Sequence, residues 1–293
     1  MKKSANQTLY QLIRTYMDTV GTSQTTLVAL KSYIHAVRRL TCTEDQFKPL
    51  ILELNGVIRD TEPKVVSLLH LIEAFESEMQ PYFDADLETA RTKAIEILTG
   101  KLDAFEADTK RLTEACTAAV NDGDFIIVHS PTAYIRNGLV RAHVHSNRRF
   151  KVLVLKQDFF RTKDLVNALQ LHGLDYRLIP EHNLSHYLEK AKKVFISAVT
   201  VTADHKALTG PGTANVVGIC HANHVPVYLF AESLKFSHTP LHEQHIHKAR
   251  NQHLEGGFAF ELTAFSHDFV DLAMVEHIIT EKGESDMSGR PLS

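Results

Sequence analysis

Over the first 120 positions apolar residues recur every three or four places, and beyond position 121 they collect into short unbroken runs. The first pattern is the stripe of an amphipathic helix, and the second is the mark of a buried strand. Leu9, Leu12, Ile13, Tyr16, Met17 and Val20 make one stripe, and Leu27, Leu30, Ile34 and Val37 make the next. Phe47, Leu50, Ile51, Leu54, Val57 and Ile58 make a third. Thr61-Glu62-Pro63 predicts a helix start, with the threonine as N-cap and the proline in the first turn. That helix is expected to bury Val65, Leu68, Leu69, Ile72 and Phe75. Pro81 breaks the chain, and a long helix is expected from Asp86 to about Val120, carrying Leu87, Ala90, Ala94, Leu98, Leu102, Phe105, Leu112 and Cys116. Gly100 is its one weak point.

The turn Asn121-Asp122-Gly123 changes the pattern. Five apolar runs follow, at 125–128, 150–155, 175–179, 193–198 and 225–231, separated by helical stretches such as "TKDLVNALQLHG" and "GTANVVGICHANH". Continuous apolar strands alternating with helices indicate a parallel sheet covered on both faces. The fold class is therefore α/β: an N-terminal all-helical bundle (1–120), a doubly wound, Rossmann-like parallel-sheet domain (121–285), and a loose tail (286–293).

Composition narrows the function classes. The net charge of −3 offers no basic field for nucleic acid. No stretch approaches the 18 apolar residues of a membrane span, and the N-terminus lacks the uninterrupted apolar core of a signal peptide. Cys42, Cys116 and Cys220 share no short spacing, so neither a zinc site nor a disulfide framework is expected, and a cytoplasmic setting follows. The 18 histidines have no functional account.

Ligands of a doubly wound sheet sit outside the carboxyl ends of its strands. Those ends carry His129-Ser130, Lys156, Glu181, Val199-Thr200, and Glu232-Ser233 with Lys235. The last group is the densest, and its plainer reading is a weak surface pair between Glu232 and Lys235. Gly210-Pro211-Gly212-Thr213 precedes a helix, where backbone amides can hold an anion; its plainer reading is a capped turn. His238, His242, His245, His247 and His253 crowd one segment. The spacing HExH at 242–245 is one residue short of the zinc-binding HExxH, so a solvated loop is expected and no metal site. Ser130 follows His129, but neighbours on a strand point to opposite faces, and no Gly-x-Ser-x-Gly elbow exists. No catalytic residue and no cofactor are assigned.

"AESLKF" followed by "PL" (231–241) resembles the "AESFKF…PL" signature of the translation initiation factor 2B alpha subunit. Its relatives include the regulatory beta and delta subunits and the archaeal ribose-1,5-bisphosphate isomerases. "FELTAFSHDFVDLAMVEHIITEKG" (260–283) resembles their C-terminal pattern, in which an Asp-Thr-Pro-Pro motif precedes a helix, and Ile196 to Ser233 can be laid on the intervening segment without a gap. The helical N-terminal third fits the same layout.

Departures from the pattern carry the functional expectation. Where the isomerases have a proton-transferring cysteine and aspartate, this chain has Ser130 and Val199. A hydroxyl is a far weaker acid than a thiol, and valine moves no proton. An Asn-Lys pair becomes Thr209-Gly210, an arginine motif becomes Lys156-Gln157-Asp158, and a third-strand aspartate becomes Glu181. The resemblance thus implies a non-catalytic initiation factor 2B-like protein, akin to the regulatory subunits of a guanine-nucleotide exchange factor. Its degenerate pocket (His129, Ser130, Gly212, Thr213, Glu232, Ser233 and Lys235) would take a sugar phosphate or nucleotide. It also implies a homodimer and initiation-factor subunits as partners. Two alternatives share the fold: a sugar-phosphate isomerase with a rebuilt acid/base set (Glu232 with His129), and a stand-alone mimic of an initiation-factor subunit.

Overall fold

The computed structural model describes residues 21–60, 64–157, 159–240, 248–255 and 258–292. The first helical stripe (Leu9 to Val20) and the helix start at Thr61-Glu62-Pro63 lie outside these residues. The chain divides into two units, Met1–Arg111 and Leu112–Ser293.

In the first unit, helices α1 (Thr22–Arg39) and α2 (Glu44–Arg59) both pack on α3 (Val66–Met79). Leu30, Ile34, Val37, Phe47, Ile51, Leu68, Ile72 and Phe75 are buried, so the 3.6-residue stripe faces inward on each helix. One polar network sits among them. The Tyr33 hydroxyl donates to Asn55 Oδ1 (2.6 Å), and Asn55 Nδ2 and Arg59 Nη2 donate to Glu76 Oε2 (2.9 and 2.5 Å). Each member has a partner, which is what keeps a buried network from costing stability. Helix α4 (Leu87–Ala118) runs through Gly100 without a break, and the boundary between the units falls within it.

The second unit is built on a seven-stranded sheet in the order β12-β11-β7-β4-β1-β2-β3. Its strands are β1 (Phe125–Val128), β2 (Lys151–Lys156), β3 (Asp175–Pro180), β4 (Lys193–Ser197), β7 (Val227–Phe230), β11 (His277–Thr280) and β12 (Gly283–Ser285). All pairings are parallel except β11 with β12. Helices α5 (Ala133–Val144), α6 (Phe159–Leu171) and α7 (Thr213–Ala222) connect the strands. Ile126, Val128, Val152, Val154 and Phe195 enter one apolar layer, and Ile127, Leu153, Val194, Ile196 and Leu229 enter the other. Both faces of β1, β2, β4 and β7 are covered, which is why those strands read as apolar runs, whereas the edge strand β3 is largely exposed. The last turns of α4 dock here. Its carbonyls at Thr117 and Val120 accept from Arg148 Nη1 (2.5 Å each), and Lys193 Nζ reaches the Ala119 carbonyl (2.8 Å). Cations at a helix C-terminus complement its dipole.

Several expectations are corrected. The parallel sheet has one strand more than the five apolar runs, because β11 pairs outside β7. Glu276 accepts from Val227 N (2.7 Å) and draws this segment alongside β7, where a helix was expected from the family pattern. Only one 3₁₀ turn, Leu272–Met274, forms there. A side sheet of β5 (Thr200–Val201), β6 (Lys206–Thr209) and β10 (Asp268–Asp271) has no counterpart among the five apolar runs. The histidine-rich segment is not simply a loop, since 248–255 form β8, paired with β9 (Phe258–Phe265). His242, His245 and His247 lie outside the described residues. The loose tail is tied down: Leu292 N donates to the Glu284 carbonyl (2.8 Å), and Gly289 (φ 79°) lies against the Phe236 ring.

A Cβ added at Gly138 would lie 2.7 Å from Cys116 Cβ and Sγ. Gly138→Ala should therefore cost about 1–3 kcal/mol, although alanine in a helix interior ordinarily stabilises. A denaturation midpoint that stays level or rises would contradict this packing. Burial pushes the Cys220 thiol up to about 12, with Glu276 adding to the shift, and burial holds Cys116 higher still. A thiol reagent near neutral pH should modify the half-buried Cys42 alone until the protein is denatured. Rapid reaction of a second thiol in the native state would be the contrary result.

Candidate functional site

Strand order reverses between β1 and β4, the position at which a doubly wound sheet opens a crevice. His129 still belongs to the ladder, its amide donating to the Phe195 carbonyl (3.1 Å). Ser130 leaves it at φ 49°, in the left-handed region. Strand alternation therefore stops at His129, and the expectation of opposite faces fails. Both side chains meet Thr213 Oγ1, His129 Nδ1 at 3.0 Å and Ser130 Oγ at 3.1 Å.

Bond directions follow from one fixed donor. The Thr213 hydroxyl donates to the Gly210 carbonyl (2.6 Å), so its oxygen can only accept from its other neighbours. Ser130 Oγ donates to it and in turn accepts from Gln157 Nε2 (3.3 Å), while Gln157 Oε1 accepts from Ser130 N (2.8 Å). His129 Nδ1 lies between Thr213 Oγ1 (3.0 Å) and Gln157 Nε2 (3.4 Å). Its Nε2 faces Glu181 Oε1 at 2.7 Å, with the ring fully buried and the glutamate side chain 33% exposed. The Glu181 carboxylate can only accept, so Nε2 is the donor of this contact.

The glycine turn packs against this group. Gly212 has φ 87°, and a Cβ there would fall 2.6 Å from a Glu181 carboxylate oxygen, so glycine is required twice over. Asp268 Oδ2, brought beside the turn by the β6–β10 pairing, accepts from Gly212 N (2.8 Å) and Ala214 N (3.3 Å). The start of α7 is capped by the chain's own carboxylate.

A second group lies across β4. Lys235 and Glu232 are wholly buried, with Nζ 2.9 Å from Glu232 Oε2. This corrects the surface-pair reading. The contact is poorly aligned for a hydrogen bond, and neither Glu232 oxygen has another partner among the described residues. Lys235 Nζ also donates to the Ala198 carbonyl (2.9 Å) and approaches the Tyr134 hydroxyl (3.4 Å), which itself donates to the Phe230 carbonyl. Burial lowers the lysine's basicity, but Glu232 and Tyr134 outweigh it and hold the ammonium above its ordinary range. Burial pushes the Tyr134 phenol up to about 12. Ser233 donates through both its amide (2.8 Å) and its hydroxyl to Glu281.

The structure thus places His129, Ser130, Gly212 and Thr213 together, and Glu232, Ser233 and Lys235 together. The first set is tied to the end of β4 through Ser197 Oγ and the Ser130 carbonyl (2.6 Å), and the second through Ala198. Glu232 partners Lys235 and His129 partners Glu181, so the rebuilt acid/base set of Glu232 with His129 is not assembled. Lys156 is exposed at the end of β2. In the sequence Glu181 stands as a strand-end candidate and as a departure from the pattern, Gln157 only as a departure, and Asp268, Tyr134 and Glu281 are not singled out. Among the described residues no cluster of three or more metal-ligating side chains occurs, and no helix is long and apolar enough to cross a membrane.

The sequence model of the initiation factor 2 subunit family matches residues 18–286. A translation initiation factor eIF-2B subunit 2-like protein of Pyrococcus horikoshii is 23% identical over 241 residues, 82% of each chain. A ribose 1,5-bisphosphate isomerase of Pyrococcus furiosus is 22% identical over 206 residues, 69% of this chain and 63% of that one. Among solved structures, translation initiation factor eIF-2B of P. horikoshii superposes with a TM-score of 0.76 at 21% identity, covering 94% of this chain and 96% of that one. A chain of the tetrameric eIF2B-beta2-delta2 complex from Chaetomium thermophilum gives a TM-score of 0.73 at 16% identity, covering 98% and 92%.

Lys235→Met should destabilise the fold by about 3–5 kcal/mol, because it leaves the Glu232 carboxylate buried without its cation. Adding Glu232→Gln to that variant should recover most of the loss in chemical denaturation. A single variant as stable as the parent would mean that water reaches the pair.

Proposed function

The chain belongs to the initiation factor 2 subunit family, and we propose that within it this protein acts as an initiation factor 2B-like subunit, through protein contacts and without sugar-phosphate turnover. The observation carrying this reading is the state of Ser130. It stands where the isomerase resemblance expects a thiol, and its hydroxyl proton is directed through Thr213 onto a backbone carbonyl. No carboxylate or imidazole nitrogen accepts from Ser130 Oγ among the described residues, so nothing there would draw its proton off. Val199, in the position expected for an aspartate, uses its amide in the side sheet (Val199 N to the Leu208 carbonyl, 2.7 Å) and brings no titratable group.

A regulatory role in guanine-nucleotide exchange, a cytoplasmic setting and assembly with further subunits complete the reading. The beta and delta chains of the Chaetomium complex associate as a tetramer, which supports assembly as the mode of action. By itself the chain is expected to pair into a homodimer.

Purified protein should sediment at about twice its 33.0 kDa chain mass at micromolar concentration; a monomer mass would count against pairing. Affinity purification from the native host should recover initiation-factor subunits, and failure to recover any would count against the subunit reading. Incubation with ribose 1,5-bisphosphate or 5-methylthioribose 1-phosphate should give no product. Turnover that Ser130→Ala abolishes would replace this reading with the isomerase one.

A further inference from the structure

We propose that Glu181 is an internal stand-in for an anionic ligand: its carboxylate fills the position in which a small oxyanion would meet the His129 ring, and it must swing out before one binds. The inference rests on reading the β1–β4 crevice as a small-molecule site.

Three observations carry it. First, the His129 ring is fully buried, and a buried Nε2 donor needs an acceptor in place. Glu181 meets that requirement at 2.7 Å. Second, the two partners differ in exposure. The ring is clamped between Thr213 and the sheet, whereas Glu181 enters from the first residue of the 3₁₀ segment Glu181–Lys190 and keeps a third of its side chain in solvent. A rotamer change would carry its carboxylate into water and leave the Nε2 donor facing the opening. Third, the carboxylate lies directly on the Cα of Gly212, where any side chain would displace it. The backbone of the turn is thus shaped around an oxyanion. The start of α7 is not the anion's partner in this scheme, because Asp268 already accepts from Gly212 N and Ala214 N.

A built-in competitor weakens its rival by the fraction of time it is out of the way, since apparent Kd is the intrinsic Kd divided by the open population. An internal carboxylate seated ten times more often than not costs an external oxyanion roughly tenfold in affinity.

The test titrates inorganic phosphate into the full-length parent, Glu181→Ala and Glu181→Gln by calorimetry, at constant ionic strength held with chloride. Glu181→Ala should bind phosphate at least about tenfold more tightly than the parent. Glu181→Gln, which keeps the shape without the charge, should fall between the two and serves if the alanine variant does not fold. Equal affinity in all three proteins, or no phosphate binding by either variant, would overturn the proposal. Neither result bears on the subunit reading, which stands or falls on native mass and recovered partners, so the two can fail separately.

Discussion

Everything at the candidate site follows from the way β1 and β4 part. The connections after β1 lead outward to β2 and β3, while those after β4 lead to β7 and β11, so the two carboxyl ends face a gap that neither chain direction fills. A gap at the centre of a sheet buried on both faces cannot hold unpartnered polar groups cheaply. It is filled by the turn from Gly210 to Thr213, and the bond from the Thr213 hydroxyl to the Gly210 carbonyl sets the sense of the surrounding network. Ser130 must donate toward it, and the Nε2 of the neighbouring His129 ring meets the Glu181 carboxylate. The positive φ of Ser130 and of Gly212 are the backbone's share of the same arrangement.

The parallel core was legible because burial on two faces leaves a direct trace, the unbroken apolar run. β11 was not: "HIIT" has only two apolar residues, the segment around it resembled a pattern that leads into a helix, and Glu276 on the Val227 amide holds it alongside β7. Strands β5, β6 and β10 are two to four residues long and lie beside the main sheet, too short for a period to declare itself. The site was legible in part for an equally physical reason. Residues at strand ends could be read off once the strands were known, which gave His129, Ser130, Glu232 and Lys235. Their pairing could not, because Glu181 meets His129 from 52 positions away and Asp268 meets Gly212 from 56. Strand alternation also misled at Ser130, since the rule holds only while the backbone remains extended.

The signature at 231–236 reads differently once its atoms are placed. Glu232 and Lys235 look like ligand-binding groups in sequence, yet both are sealed from solvent, and Lys235 spends its donors on Glu232, the Ala198 carbonyl and the Tyr134 hydroxyl. A pair so buried is a poor source of net stability. Its effect is positional. It fixes the carbonyl that follows β4 and, through Tyr134, the Phe230 carbonyl at the end of β7, while Glu281 holds Ser233 from β11. Three neighbouring strands therefore end in a fixed relation on that side of the crevice. A recognisable motif can belong to the frame of a site instead of its chemistry.

A crevice at the ends of buried strands encloses donors, and buried donors require acceptors. In this chain the acceptors come from the protein itself: Asp268 on the amides of α7, Glu181 on the His129 ring, and Gln157 on the Ser130 amide. The difference between these three lies in attachment. Asp268 is fixed by the pairing of β10 with β6, and the Gln157 amide is held by Thr162 Oγ1 at 3.0 Å. Glu181 alone of the three is a charged group at the head of a surface segment, held at its tip by a single imidazole. A crevice closed by one such side chain differs from a packed core in what holds it shut, one rotamer and one imidazole contact.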